Sequence, residues 1–125
     1  MTENEISYLI RGAIFKVYNS LGPGLYESVY IRALKHELEK VNLNVKLEVG
    51  IPAYYETQKL DLGYRMDILV ENKVLIEVKS VENLGEVHHK QVLTYLRLSN
   101  LKLGILVNFN VQEIKNGIFR KVNNL

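Results

Sequence analysis

Apolar residues recur at three- and four-residue intervals from Glu5 to Leu21, at Ile6, Leu9, Ile10, Ala13, Ile14, Val17, Tyr18 and Leu21, which is the spacing of an amphipathic helix. The segment "GPG" at 22–24 ends that helix. A second helical pattern starts just after it, with Tyr26, Val29, Tyr30, Ala33, Leu34 and Leu38 on one side and Lys35, Glu37, Glu39 and Lys40 on the other, and fades by about Asn42. The middle of the chain then changes period. "VKLEVGIPAYY", "LDLGYRMDILV" and "KVLIEVKSV" are rich in β-branched and aromatic residues and separated by polar turns, which predicts three consecutive antiparallel strands. Pro52 has no amide to donate, so the first of these is expected at a sheet edge or to carry a bulge. Helical spacing returns from Glu86 to about Leu98, and "KLGILVNF" and "EIKNGIFRKV" read as two closing strands, with a further turn expected at Asn116-Gly117. The order αα-βββ-α-ββ predicts an α/β fold with a central mixed sheet flanked by helices. At 125 residues it is expected to be one domain, 1–125.

The hairpin Tyr64–Ser80 breaks the apolar pattern with Asp67, Glu77 and Lys79. Alternation puts Glu77 and Lys79 on one strand face with Leu75, and Val74, Ile76 and Val78 on the other. With a three-residue loop Glu71-Asn72-Lys73, Asp67 lies directly opposite Glu77, Cβ atoms about 5 Å apart. A two-residue turn at 72 and 73 would instead send Asp67 to the other face. Facing carboxylates are destabilising unless a cation joins them, and Mg²⁺ commonly takes one or two carboxylates, with water and phosphate oxygens completing its shell. A nearby Lys79 could then orient water or stabilise charge on phosphate oxygens. The plainer alternative is a solvent-facing cross-strand pair on a half-exposed sheet.

Asp67, nine residues, then "EVK" at 77–79 resembles the core of the PD-(D/E)XK nuclease superfamily. "GLYESVY", 24–30, is similar to the GxxExxY pattern that names a family within it, and Gln91 with Tyr95 resembles the QxxxY element of RecB-type nucleases. Met66 stands where the superfamily name has proline, a residue that supplies no ligand. The resemblance implies a restriction-endonuclease-like fold. It also implies metal ligands at Glu27, Asp67 and Glu77, a catalytic group of Lys79, Glu77, Asp67 and Gln91, and Mg²⁺ or Mn²⁺ as the ion. Tyr30, Tyr95 and His88 join as candidate substrate contacts; His88, Gln91 and Tyr95 share one helix face, and His89 points elsewhere. Each has a structural alternative: Glu27 as a carboxylate favoured by the helix N-terminus, Tyr95 as core, the histidines as polar surface.

The remaining composition narrows the chemistry. Without cysteine there are no disulfides, thiolate metal sites or cysteine nucleophiles. No GxSxG turn, HExxH pair or phosphate-loop motif occurs, which leaves serine hydrolase, zinc protease and P-loop readings unsupported. A net charge of +2 tolerates a polyanion without announcing one; Lys46, Lys59, Arg65, Lys90 and Arg97 are candidate phosphate contacts or plain solvated surface. "MTENEISYLIRGAIF" is acidic where a signal peptide is basic, and no apolar run approaches the roughly 20 residues that cross a bilayer, so a soluble cytoplasmic protein without membrane contact is expected. The function expected is a metal-dependent nuclease acting on nucleic acid, DNA first, with homodimerisation one way for so small a unit to span a duplex. The alternatives are a nuclease-like domain that binds nucleic acid or a protein without cleaving, and a purely structural α/β domain.

Overall fold

The computed structural model describes residues 1–60 and 63–125. Two helices come first, α1 (Glu3–Leu21) and α2 (Glu27–Lys40). Thr2 starts α1 in a reciprocal cap: its hydroxyl accepts from the Glu5 amide (3.1 Å), and the Glu5 carboxylate accepts from the Thr2 amide (2.9 Å). Gly22, at φ 69, stops it. The strands follow: β1 (Val45–Gly50), the short pair β2 (Ala53–Tyr55) and β3 (Gln58–Leu60), then β4 (Arg65–Val70) and β5 (Val74–Lys79). Helix α3 (Glu86–Ser99) crosses back to β6 (Leu103–Asn108), and a 3₁₀ turn (Ile114–Gly117) leads into β7 (Ile118–Val122).

The main sheet has the order β1-β4-β5-β6-β7, with β5 and β6 parallel and every other neighbouring pair antiparallel. A parallel pair needs a long crossover, and α3 provides it. This is the mixed, helix-flanked sheet that the residue pattern predicts. Pro52 does sit just past an edge strand, but the run "VKLEVGIPAYY" is not one strand. The chain breaks at Ile51-Pro52, and β2 and β3 form their own two-stranded sheet between β1 and β4. The expected strand from Leu60 includes Asp61 and Leu62, which lie outside the described residues; its regular part is β4. Asn116-Gly117 does lie in a turn, the 3₁₀ turn, so the closing strand expected over "EIKNGIFRKV" is regular only from Ile118.

Two apolar layers fill the space on either side of the sheet. Ile6, Ile10, Ile14 and Val17 of α1 and Tyr30, Leu34 and Leu38 of α2 pack on Ile68, Val70, Ile76, Val78, Ile105 and Val107. On the opposite face, Val92, Tyr95 and Leu96 of α3 pack on Met66, Leu69, Leu75 and Leu106. Every residue of β6 is buried, as a strand covered on both faces requires. Among the described residues no helix is long and apolar enough to cross a membrane.

Gly104 sets the spacing between α3 and the sheet. A Cβ there would meet Val92 Cγ1 at 2.9 Å and Leu75 Cγ at 3.3 Å, with Leu96 Cδ2 at 3.4 Å. Overpacking a close-packed core costs roughly 1–3 kcal/mol. Gly104→Ala is therefore expected to lower the denaturant midpoint by a corresponding amount, and unchanged urea unfolding would mean that α3 is free to move outward.

Candidate active site

The β4–β5 hairpin turns through the three residues Glu71-Asn72-Lys73, with Glu71 and Asn72 both at φ 54 and the Lys73 amide donating to the Val70 carbonyl (3.0 Å). The odd loop sets the register Val70 to Val74, Leu69 to Leu75 and Ile68 to Ile76, so the next position brings Asp67 opposite Glu77. There the ladder ends, and side chains take over its hydrogen bonds. The Asp67 amide donates to Glu77 Oε1 (3.1 Å), and the Val78 amide donates to Asp67 Oδ2 (2.8 Å). Each carboxylate thus accepts an amide from the opposite strand, which leaves neither amide unpaired where the strands part.

A change of face helps to part them. Val45 and Leu47 pack towards α1 and α2 with their partners Val70 and Ile68, whereas Val49 and its partner Met66 pack towards α3. Regular alternation would keep all three β1 residues on one side. The two strands turn over between these pairs, where Glu48 (φ 51) and Asp67 stand. A left-handed glutamate is a local strain that surrounding structure must impose. It coincides with the position at which Asp67 leaves the ladder.

Glu77 is 3% exposed. Burial, and then the charge of Asp67 beside it, push its carboxyl up to about 9, with the Lys79 ammonium acting weakly in the other direction. Glu77 and Lys79 share the α3 face with Leu75, as alternation predicts. Tyr95, buried on the facing helix, has its phenol pushed up by burial and then by the charge of Glu77. Gln91 Nε2 donates to the Tyr95 hydroxyl (3.0 Å), so these two residues act as one unit. Tyr64, just ahead of β4, tilts against Tyr95 with ring centroids 5.8 Å apart.

Glu27 arrives from the other side of the sheet, at the first residue of α2. Its Oε2 accepts from the Ser80 amide (3.2 Å), while the Ser80 hydroxyl donates to the Leu25 carbonyl (2.6 Å). The start of α2 is thereby tied to the end of β5. Among the described residues no three acidic or histidine side chains are grouped to hold a metal, so Glu27 closes on the backbone after Lys79 instead of completing a three-carboxylate cluster with Asp67 and Glu77.

Two candidate substrate contacts have other duties. Tyr30 is fully buried and stacked on Phe109 (centroids 4.1 Å, planes 3° apart); its hydroxyl donates to the Gly22 carbonyl (2.6 Å) and accepts from the Leu25 amide (3.1 Å). It cannot touch a substrate, and it holds the loop that aims Glu27. His88 accepts the Gly85 amide at Nδ1 (3.1 Å), which caps α3. His89 turns away, as expected, edge-on to Phe119 (4.9 Å). Sequence reasoning passed over Asn108, which is 3% exposed and pairs across the parallel ladder with Lys79. Asn108 Oδ1 accepts from the Val81 amide (3.1 Å) and its Nδ2 donates to the Val81 carbonyl (2.9 Å), pinning the segment after Lys79. The available signal was an amide closing the apolar run "LGILVN".

The raised carboxyl of Glu77 has a measurable consequence. The folded state holds its proton between the ordinary value of 4.5 and about 9, where the unfolded chain does not. The stability from protonated Glu77 is thus complete below about pH 4.5 and is lost as the pH rises to about 9. In metal-free buffer, Glu77→Gln is expected to flatten the decline of the urea midpoint over that range; a wild-type profile as flat as the variant's would dismiss the buried like-charge pair.

Comparison with curated proteins and with solved structures gives no match. A family model described as the PD-(D/E)XK nuclease superfamily matches residues 4–121, spanning both layers of the fold and the Asp67–Glu77–Lys79 group. The chain belongs to the PD-(D/E)XK nuclease superfamily.

Proposed function

We propose that the protein is a metal-dependent nuclease that hydrolyses phosphodiester bonds of nucleic acid, DNA foremost, at the site built around Asp67 and Glu77. The observation that carries this reading is the meeting of two carboxylates, one of them buried, at the point where β4 and β5 part. Two carboxylates suit Mg²⁺ or Mn²⁺, which complete their shells with water and phosphate oxygens. Asp67 and Glu77 would hold the ion, whose positive charge would offset the burial and the repulsion that otherwise keep a proton on Glu77. Bound there, the ion supplies Lewis acidity towards a phosphate oxygen and the attacking water.

The chain's own groups supply the rest. Lys79, half-buried two residues beyond Glu77 on the same strand face, stabilises negative charge that builds on the phosphate oxygens. Gln91 orients the Tyr95 hydroxyl, which is then free to donate to a phosphate or a water. Glu27 and Asn108 are positioning residues, because they fasten Ser80 and Val81 and so set the end of the strand that carries Lys79. The superfamily match supports nuclease chemistry in general, and the choice of DNA follows from the resemblance noted above.

The test is cleavage of single- and double-stranded DNA with Mg²⁺ or Mn²⁺. Asp67→Asn, Glu77→Gln and Lys79→Ala are each expected to lower the rate at least about 100-fold. Equal turnover by wild type and all three variants would reject the assignment. Metal-independent DNA binding without turnover, seen by titration calorimetry, would make the chain a binding module instead.

A further inference from the structure

The β2–β3 hairpin has no part in the catalytic group, yet topology hangs it at the same end of the sheet. It joins Gly50, the last residue of β1, to Arg65, the first of β4, and those two residues pair. Asp67 is two residues inside that end of β4. Glu77 and Lys79 reach the same end, because β5 runs antiparallel to β4. The Ile51 amide donates to the Tyr64 carbonyl (2.8 Å) and closes the base of the hairpin.

Two aromatic side chains on this hairpin are left in solvent. Tyr54 is 61% exposed and Tyr55 68% exposed, whereas Ala53 and Leu60 supply the hairpin's covered positions. Tyr54 pairs across the strands with Lys59, so an aromatic ring and an ammonium occupy one outward face. A cleft of about 260 Å³ at the hairpin's base is lined by Ile51, Pro52, Lys59, Leu60, Tyr64 and Arg65, among others; among the described residues its charged lining, Lys59 and Arg65, is cationic. Tyr64 then leads inward, since its ring meets Tyr95 of α3. Glu56 at the hairpin tip carries the described hairpin's one carboxylate.

We infer that the β2–β3 hairpin is a platform for single-stranded nucleic acid, with Tyr54 stacking on an unpaired base and Lys59, beside it on the same face, and Arg65 meeting the backbone phosphates on the way to the Asp67–Glu77 site. The inference rests on the nuclease reading. Every base has a face to stack, but a paired base has both faces covered within the duplex, so such a platform selects unpaired strands. The cationic cleft adds sequence-independent attraction.

The experiment is fluorescence anisotropy with a labelled single-stranded oligonucleotide and with the corresponding blunt duplex, in Ca²⁺ and in EDTA. Wild type is expected to bind the single strand more tightly. Tyr54→Ala should weaken it about tenfold, while Tyr54→Phe retains affinity because the ring remains. Lys59→Ala should lower the salt dependence by about 0.7 in logarithmic slope. Unfolding midpoints of all variants establish that each is folded. Equal affinity for strand and duplex, unchanged affinity in Tyr54→Ala, or an equal loss in Tyr54→Phe would overturn the platform. Since binding is read without turnover, duplex cleavage by a protein that fails here would leave the nuclease assignment standing.

Discussion

The structure turns on the exchange between Asp67 and Glu77, in which each carboxylate accepts the amide that the other's strand has left without a partner. Two like charges about 4 Å apart repel by about 4 kcal/mol at an effective dielectric near 20. A hydrogen bond to a charged group returns roughly 1.5–3 kcal/mol. The terms are of similar size, so two amides can hold the pair together but cannot make full ionisation comfortable in a buried setting. Burial weighs most and the repulsion adds to it, so the carboxyl of Glu77 is pushed high and one additional positive charge, a proton first of all, settles the pair.

Helix α2 and the end of β6 converge on the strand end beyond this pair. Helix α2 reaches it through Glu27 and Ser80, β6 through Asn108 and Val81, and the residue after β6 through the Phe109 amide, which donates to the Lys79 carbonyl (2.9 Å). Tyr30 fixes the loop ahead of Glu27 by giving its hydroxyl to Gly22 and its ring to Phe109. The spacing of Gly24, Glu27 and Tyr30 thereby acquires a mechanical sense. Gly24, at φ 92, lets the loop turn, the glutamate reaches the sheet, and the tyrosine one helical turn later locks both.

Much of this was legible from residue order. Periods of 3.6 and 2 located the three helices and the strands β1, β4, β5, β6 and β7, because burial of one face leaves that imprint. The facing of Asp67 and Glu77 depended on the parity of one loop, and the two left-handed residues Glu71 and Asn72 realise the three-residue version. The β2–β3 hairpin was missed because a three-residue strand is too short to show alternation, and "IPAYY" reads as a continuation of β1. Asn108 was missed because a single amide at the end of an apolar run has no period at all.

By itself, the sequence determined the alternation of apolar faces, the stop of α1 at Gly22, and the presence of an acidic pair with a lysine at a spacing that a nuclease superfamily shares. Tertiary structure alone decided what each polar side chain does with its hydrogen bonds. Glu27 is given to Ser80, Tyr30 to a loop, His88 to a helix cap, and Asp67 and Glu77 to each other's strands. Local pattern specifies which residues are buried because burial is nearly independent of the partner. Hydrogen bonding is directional and short-ranged, so its partners exist only once distant segments have been brought within about 3 Å.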